Sequence, residues 1–223
     1  PVAALAGGAA GLLAFVRDLP DIETLRDLPA AYAPSVATTR LYAYDAPAAD
    51  GLRPPVLIDE ITDPRLGGAG WLAYDDLPPA VISATLAAAD PAYFDRPPLD
   101  LPAAAAEWAR TGVVTQAQSP LLAELVAAHL RPEDPPLQDW FLGWQIERRF
   151  GREQVLEWTL NTTYYGHLAY GIEAAARLYF GVGATELTPA EAALLAAVGR
   201  DPTANPFDDP AAARAGAAGV LAT

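Results

Sequence analysis

From Pro79 onward the sequence keeps a single rhythm, and that rhythm limits what the chain can fold into. Residues 81–89, 103–111, 120–130, 137–150, 153–160, 169–179, 189–198 and 210–221 each repeat apolar side chains at i, i+3 or i+4. Helices of this kind bury one stripe each, so the expected architecture is mainly α, in one domain. Gly151 interrupts the pattern and predicts two consecutive helices across 137–160, with Trp144 and Phe150 turned inward. Thr188-Pro189 reads as an N-cap followed by proline at the first helical position, with Glu191 closing a capping box. Before Pro79, residues 38–44 alternate and are rich in β-branched and aromatic side chains, and residues 55–61 are a second strand candidate. They predict two short strands, a small β element near the N-terminus.

Composition excludes several functions. The 223 residues carry a net charge of -14, with a pI near 4.3. Nucleic-acid binding needs clustered cations, so no nucleic-acid partner is expected, nor a surface that hugs anionic headgroups. All 14 basic residues are Arg, consistent with a GC-rich coding bias, so no lysine can form a Schiff base or grip a phosphate. There is no Cys, which rules out disulfides and thiolate metal sites. There is no Met, so Pro1 is not a native start. Residues 2–16 form an uncharged apolar run, shorter than the ~20 residues that span a bilayer. It is open to two readings, a buried or interfacial helix and the end of a membrane anchor; the second is favoured because Arg17 and Asp18 follow as a polar boundary. The expected organisation is an anchor end over 1–17, a juxtamembrane segment with short strands over 18–78, and a helical domain over 79–223.

The densest signal lies between Glu147 and Gly181. Arg152-Glu153-Gln154-Val155-Leu156-Glu157-Trp158-Thr159-Leu160-Asn161 is followed by Tyr164, Gly166, Tyr170, Gly171, Ala175, Ala176, Tyr179, Phe180 and Gly181. Leu187-Thr188-Pro189-Ala190-Glu191-Ala192-Ala193-Leu194-Leu195-Ala196 and Asn205-Pro206 come next. In order and spacing these resemble the family 51 glycosyltransferases, the transglycosylase domains of class A penicillin-binding proteins that polymerise lipid II into peptidoglycan. The resemblance covers about residues 137–220. It implies a lysozyme-like helical transglycosylase fold, a groove lined by Arg152, Glu157, Asn161 and Tyr170, and no cofactor.

The motifs that carry the family's chemistry are altered. The first, E-D-x-x-F-x-x-H-x-G, falls on residues 89–98: Asp90 is kept, the general-base Glu is Ala89, the His is Arg96 and the Gly is Pro98. A methyl group cannot take the proton from an acceptor hydroxyl. The second motif survives as Thr115 and Gln116. In the third, R-K-x-x-E, the carboxylate position falls on Asp139 and the two cation positions on Pro135 and Pro136. A pyrophosphate leaving group needs fixed positive charge or a metal, and Pro-Pro supplies neither.

Other residues weigh toward structure. Glu157 reads as a helix carboxylate on a face where Arg149 and Glu153 stand at i, i+4. Asp139 lacks a partner carboxylate to split the two pKa values. Asp90 reads as an acceptor near a helix end. His129 and His167 have no ligand-spaced companions, so no metal is expected. Trp140, Phe141, Trp144 and Phe150 form a helix face suited to core packing, a membrane interface or a partner. The expected function is a degenerate, catalytically inactive glycosyltransferase-like domain on the extracytoplasmic side of the cytoplasmic membrane. It would serve as a structural or binding subunit with membrane-protein partners. Two alternatives stand beside it: an active polymerase whose base has moved to Asp90 or Asp95 with Asp139 as partner, and a binder of lipid-linked saccharide without turnover.

Overall fold

The computed structural model describes residues 19–32, 38–43, 56–62, 70–96, 106–107, 109–111, 119–130 and 136–223. Residues 1–17 and the second-motif residues Thr115 and Gln116 lie outside them, as does Pro135. Among the described residues no helix is long and apolar enough to cross a membrane.

The fold is mainly α. A 3-10 turn, Ile22–Asp27, runs directly into the single-turn helix α1, Leu28–Ala31. Asp21 caps that turn, its carboxylate accepting from the Glu23 amide at 2.9 Å. Strands β1 (Thr38–Ala43) and β2 (Val56–Thr62) pair antiparallel from Thr38↔Thr62 to Ala43↔Val56, with an irregularity between Leu41 and Tyr42. Tyr42, Val56 and Ile58 on this hairpin are exposed.

Among the described residues seven longer helices build the body: α2 (Pro79–Ala89), α3 (Pro120–His129), α4 (Pro136–Phe150), α5 (Arg152–Thr162), α6 (Ile172–Phe180), α7 (Pro189–Arg200) and α8 (Pro210–Leu221). Proline stands at the first turn of α2, α3, α7 and α8, where its missing N–H costs nothing and its fixed φ favours the helix. The Thr188–Glu191 capping box forms on α7, with the Thr188 amide donating to Glu191 Oε2 at 2.8 Å. Residues 106–107 and 109–111 are also helical.

α5 is the central helix. Val155, Leu156, Trp158 and Leu160 are buried along it, and α3, α4 and α6 pack around it. α7 lies between α2 and α8. Close approach of α7 and α8 depends on small side chains: a Cβ on Gly216 would stand 2.9 Å from Ala197 Cβ.

Several expectations need correction. The break at Gly151 is present (φ +82), and Phe150 turns inward with its ring 4.9 Å from Trp158 in an edge arrangement. Trp140, however, is the buried tryptophan of α4, while Trp144 is half-buried and faces a cavity. Arg149 does not pair with Glu153, because the helix breaks between them; it reaches across to Glu23 at 2.8 Å. The helix expected over 169–179 begins at Ile172. Before it, Tyr164 and Tyr170 form an isolated antiparallel bridge, and His167 and Leu168 take left-handed backbone conformations (φ +48 and +62). Apolar spacing cannot distinguish such a turn from a first helical turn.

Candidate active-site cleft

Ala89 is the last residue of α2 and lines a small cavity of about 20 Å³, together with Leu121, Glu124, Tyr165 and Arg200 among others. Glu124, Thr159 and Thr163 also line a second, larger cleft of about 280 Å³. Its remaining surface includes Tyr32, His129, Thr162, Tyr164 and Tyr170. The position of the family's general base and this cleft are therefore neighbours, linked by Glu124 of α3.

The cleft is aromatic and hydroxylated. Tyr164 and Tyr170 lie 4.9 Å apart between ring centroids, and Tyr32 stands 6.3 Å from Tyr170 and 5.9 Å from His129. His129 Nε2 is 3.1 Å from Thr162 Oγ1. Burial holds the His129 pKa below its ordinary value, so the imidazole is neutral at pH 7. The threonine hydroxyls of α5 back-bond to carbonyls one turn earlier, Thr159 to Val155 and Thr163 to Thr159. Glu124 is exposed, yet desolvation of its carboxyl raises its pKa, opposed by the Arg200 guanidinium. Among the described residues no hydrogen-bond donor is seated on that carboxylate.

The first-motif residues that follow Ala89 are committed elsewhere. Asp90 is 3% exposed, and its Oδ1 accepts from Arg96 Nη2 at 2.5 Å. The Tyr93 ring is buried, and its hydroxyl donates to the Arg152 carbonyl at 2.8 Å. That burial pushes the phenol's pKa well above its ordinary value. Arg152 pairs with Glu147 and donates from Nη1 to the Phe94 carbonyl at 2.9 Å. Asp90, Arg96 and Arg152 thus meet at one corner, where they clamp the turn after α2 onto the start of α5. Asp95 is exposed on that turn. Asp139 and Pro136 lie in the first turn of α4.

Glu157 and Asn161 also hold the fold together. The Glu157 carboxylate accepts from Trp71 Nε1 at 2.7 Å and from the Tyr74 amide at 2.9 Å. Asn161 brackets Leu72, accepting from its amide at 2.9 Å and donating to its carbonyl at 2.8 Å. Two helix side chains thereby secure residues 71–74 across α5. Of the expected groove residues, Tyr170 faces the cleft, while Arg152, Glu157 and Asn161 each bond to protein partners. The sequence reading missed Glu124 and Tyr32, whose roles depend on which helices converge there. Among the described residues no group of three or more His, Cys, Asp or Glu side chains is placed to hold a metal ion.

The chain is similar in sequence to known proteins. A family model described as transglycosylase matches residues 60–223. Penicillin-binding protein 2D of Bacillus subtilis is 35% identical over 140 residues, covering 60% of this chain and 20% of that protein. Penicillin-binding protein 1A of Aquifex aeolicus is 34% identical over 148 residues, 63% of this chain and 20% of that protein. Penicillin-binding protein 1A of Escherichia coli is 29% identical over 215 residues, 91% of this chain and 23% of that protein. The chain spans about a fifth of the length of these relatives. With a family model matched over residues 60–223, well over half of its length, and the helical scaffold that carries those motifs, the chain belongs to the transglycosylase family.

Proposed function

We propose that this chain is a peptidoglycan glycosyltransferase-type domain that does not polymerise lipid II, and that it serves as a binding or structural unit on the extracytoplasmic side of the cytoplasmic membrane. One observation carries the reading: the position of the family's base is Ala89, and the adjacent carboxylate, Asp90, is buried in an ion pair with Arg96. Asp90 so held cannot reach a substrate hydroxyl. Loss of a positioned general base costs roughly 10²–10⁴-fold in rate. A cleft walled by tyrosines, threonine hydroxyls and His129 suits a sugar face, so retention of a lipid-linked saccharide without turnover fits this reading. The uncharged apolar residues 2–16 support attachment through a single membrane anchor, with membrane-protein partners beside it.

Incubation with lipid II and gel analysis of extended glycan tests the proposal. No glycan is expected from the wild-type chain. Ala89→Glu alone is not expected to restore it, because the third motif's cation positions fall on Pro135 and Pro136, which leave a pyrophosphate leaving group uncompensated. Glycan from the wild-type chain would refute the proposal.

A second reading rests on Glu124. It lines the cavity that Ala89 lines, carries a raised pKa and has no hydrogen-bond donor of the described residues on it, as suits a general base displaced by one helix. Glycan formation that disappears in Glu124→Gln would promote that reading over the first.

A further inference from the structure

A larger cavity, of about 520 Å³, opens at the corner between the turn after α2 and the α4–α5 junction. Its walls include Phe94, Arg96, Trp144, Glu147, Arg148 and Arg152. Neither Ala89 nor any tyrosine of the cleft lines it. In a chain of net charge -14 with only 14 basic residues, three guanidinium groups converging on one hollow is a local reversal of sign. Asp90 and Glu147 neutralise Arg96 and Arg152. Arg148 is different: it is exposed, no carboxylate among the described residues pairs with it, and its guanidinium lies 5.5 Å from the Trp144 ring centroid. Stacking on the indole orients the guanidinium while leaving its edge N–H groups free to donate. Trp144 in turn packs against Phe141 at 5.6 Å, which fixes the platform. Phe94, exposed on the opposite turn and set edge-on to Tyr93 at 5.1 Å, gives the hollow a second aromatic surface.

From this geometry we infer that the corner cavity binds a phosphate ester that carries a ring. Arg148 takes the phosphate, with its planar fork matched to two phosphate oxygens. Trp144 and Phe94 take the ring. The Arg96–Asp90 and Arg152–Glu147 pairs hold the walls. The same chemistry is offered by a soluble sugar phosphate and by a glycosylated or polyol phospholipid headgroup.

The test uses the whole chain and calorimetric titration at low salt, with inorganic phosphate, glucose 1-phosphate and phosphatidylglycerol vesicles as probes. Glucose 1-phosphate is expected to bind more tightly than inorganic phosphate, and Arg148→Gln to weaken it by about tenfold or more, as loss of a charge-assisted contact does. Arg149→Gln, one residue along and paired with Glu23, should leave binding unchanged. Binding to vesicles alone, lost in Arg148→Gln, would support the site with a lipid headgroup as its source. Failure of all three probes to bind, or binding indifferent to Arg148→Gln, would overturn the inference. Arg148 is exposed, so the variant should fold, and an unchanged thermal midpoint checks this. The outcome is independent of lipid II turnover, which the central cleft governs.

Discussion

Arg96 holds the carboxylate that the first motif retains. With Asp90 almost wholly buried, removing its partner strands a charge in the protein interior. Arg96→Leu is therefore expected to destabilise the fold by about 3 kcal/mol, and Asp90→Leu added to it to recover part of that loss. Urea unfolding of the two variants measures both. His129 makes a different prediction. Its folded-state pKa lies below the ordinary value of 6.5, so the unfolded chain binds the proton more readily. Stability should therefore rise with pH through the interval below 6.5 and level off above it, and His129→Gln should flatten that dependence in unfolding curves taken between pH 5 and pH 7.5. The substitution at Ala89 and the survival of Asp90 were legible in the sequence, because motif spacing is kept. The company that Glu124 keeps was not: Ala89, Arg200 and Tyr165 come from other parts of the chain, and no local pattern brings them together.

At the scale of elements, helices announced themselves wherever an apolar stripe was bounded by proline or glycine. The Tyr164–Tyr170 turn did not, because Ala169 and Tyr170 continue the apolar spacing of the helix that follows, while His167 and Leu168 take left-handed backbone conformations that spacing does not encode. The junction after that turn is equally specific. Gly171 has φ +85, and a Cβ there would stand 2.6 Å from the Asn161 carbonyl oxygen. Gly171→Ala is expected to cost at least about 2 kcal/mol, read as a lower urea midpoint, because both the backbone conformation and the contact forbid a side chain. Asn161 lies at the far side of that contact and also secures Leu72, so α5 couples the 71–74 segment to the start of α6.

For the whole molecule, a complete helical scaffold stands around a first motif whose base position is Ala89. The buried face of α5, the α7 capping box and the small residues between α7 and α8 belong to a complete helical core. Glu157 and Asn161 secure it from the side that faces residues 71–74. Glu157→Ala should free Trp71 and the Tyr74 amide, exposing that segment to limited proteolysis ahead of the core. At the first motif the base position is Ala89, and Asp90 beside it is held in an ion pair with Arg96. Under the proposed function, binding or assembly rather than turnover is what the fold supplies.

The central claim is that the cleft lacks a working base for lipid II polymerisation. A single-turnover experiment, with the chain in large excess over labelled lipid II, removes slow binding and product release as explanations for inactivity. The expected result is no glycan product above the enzyme-free blank for the wild-type chain, for Ala89→Glu and for Glu124→Gln alike. Product formed by the wild-type chain and abolished by Glu124→Gln would contradict the claim and assign proton transfer to Glu124.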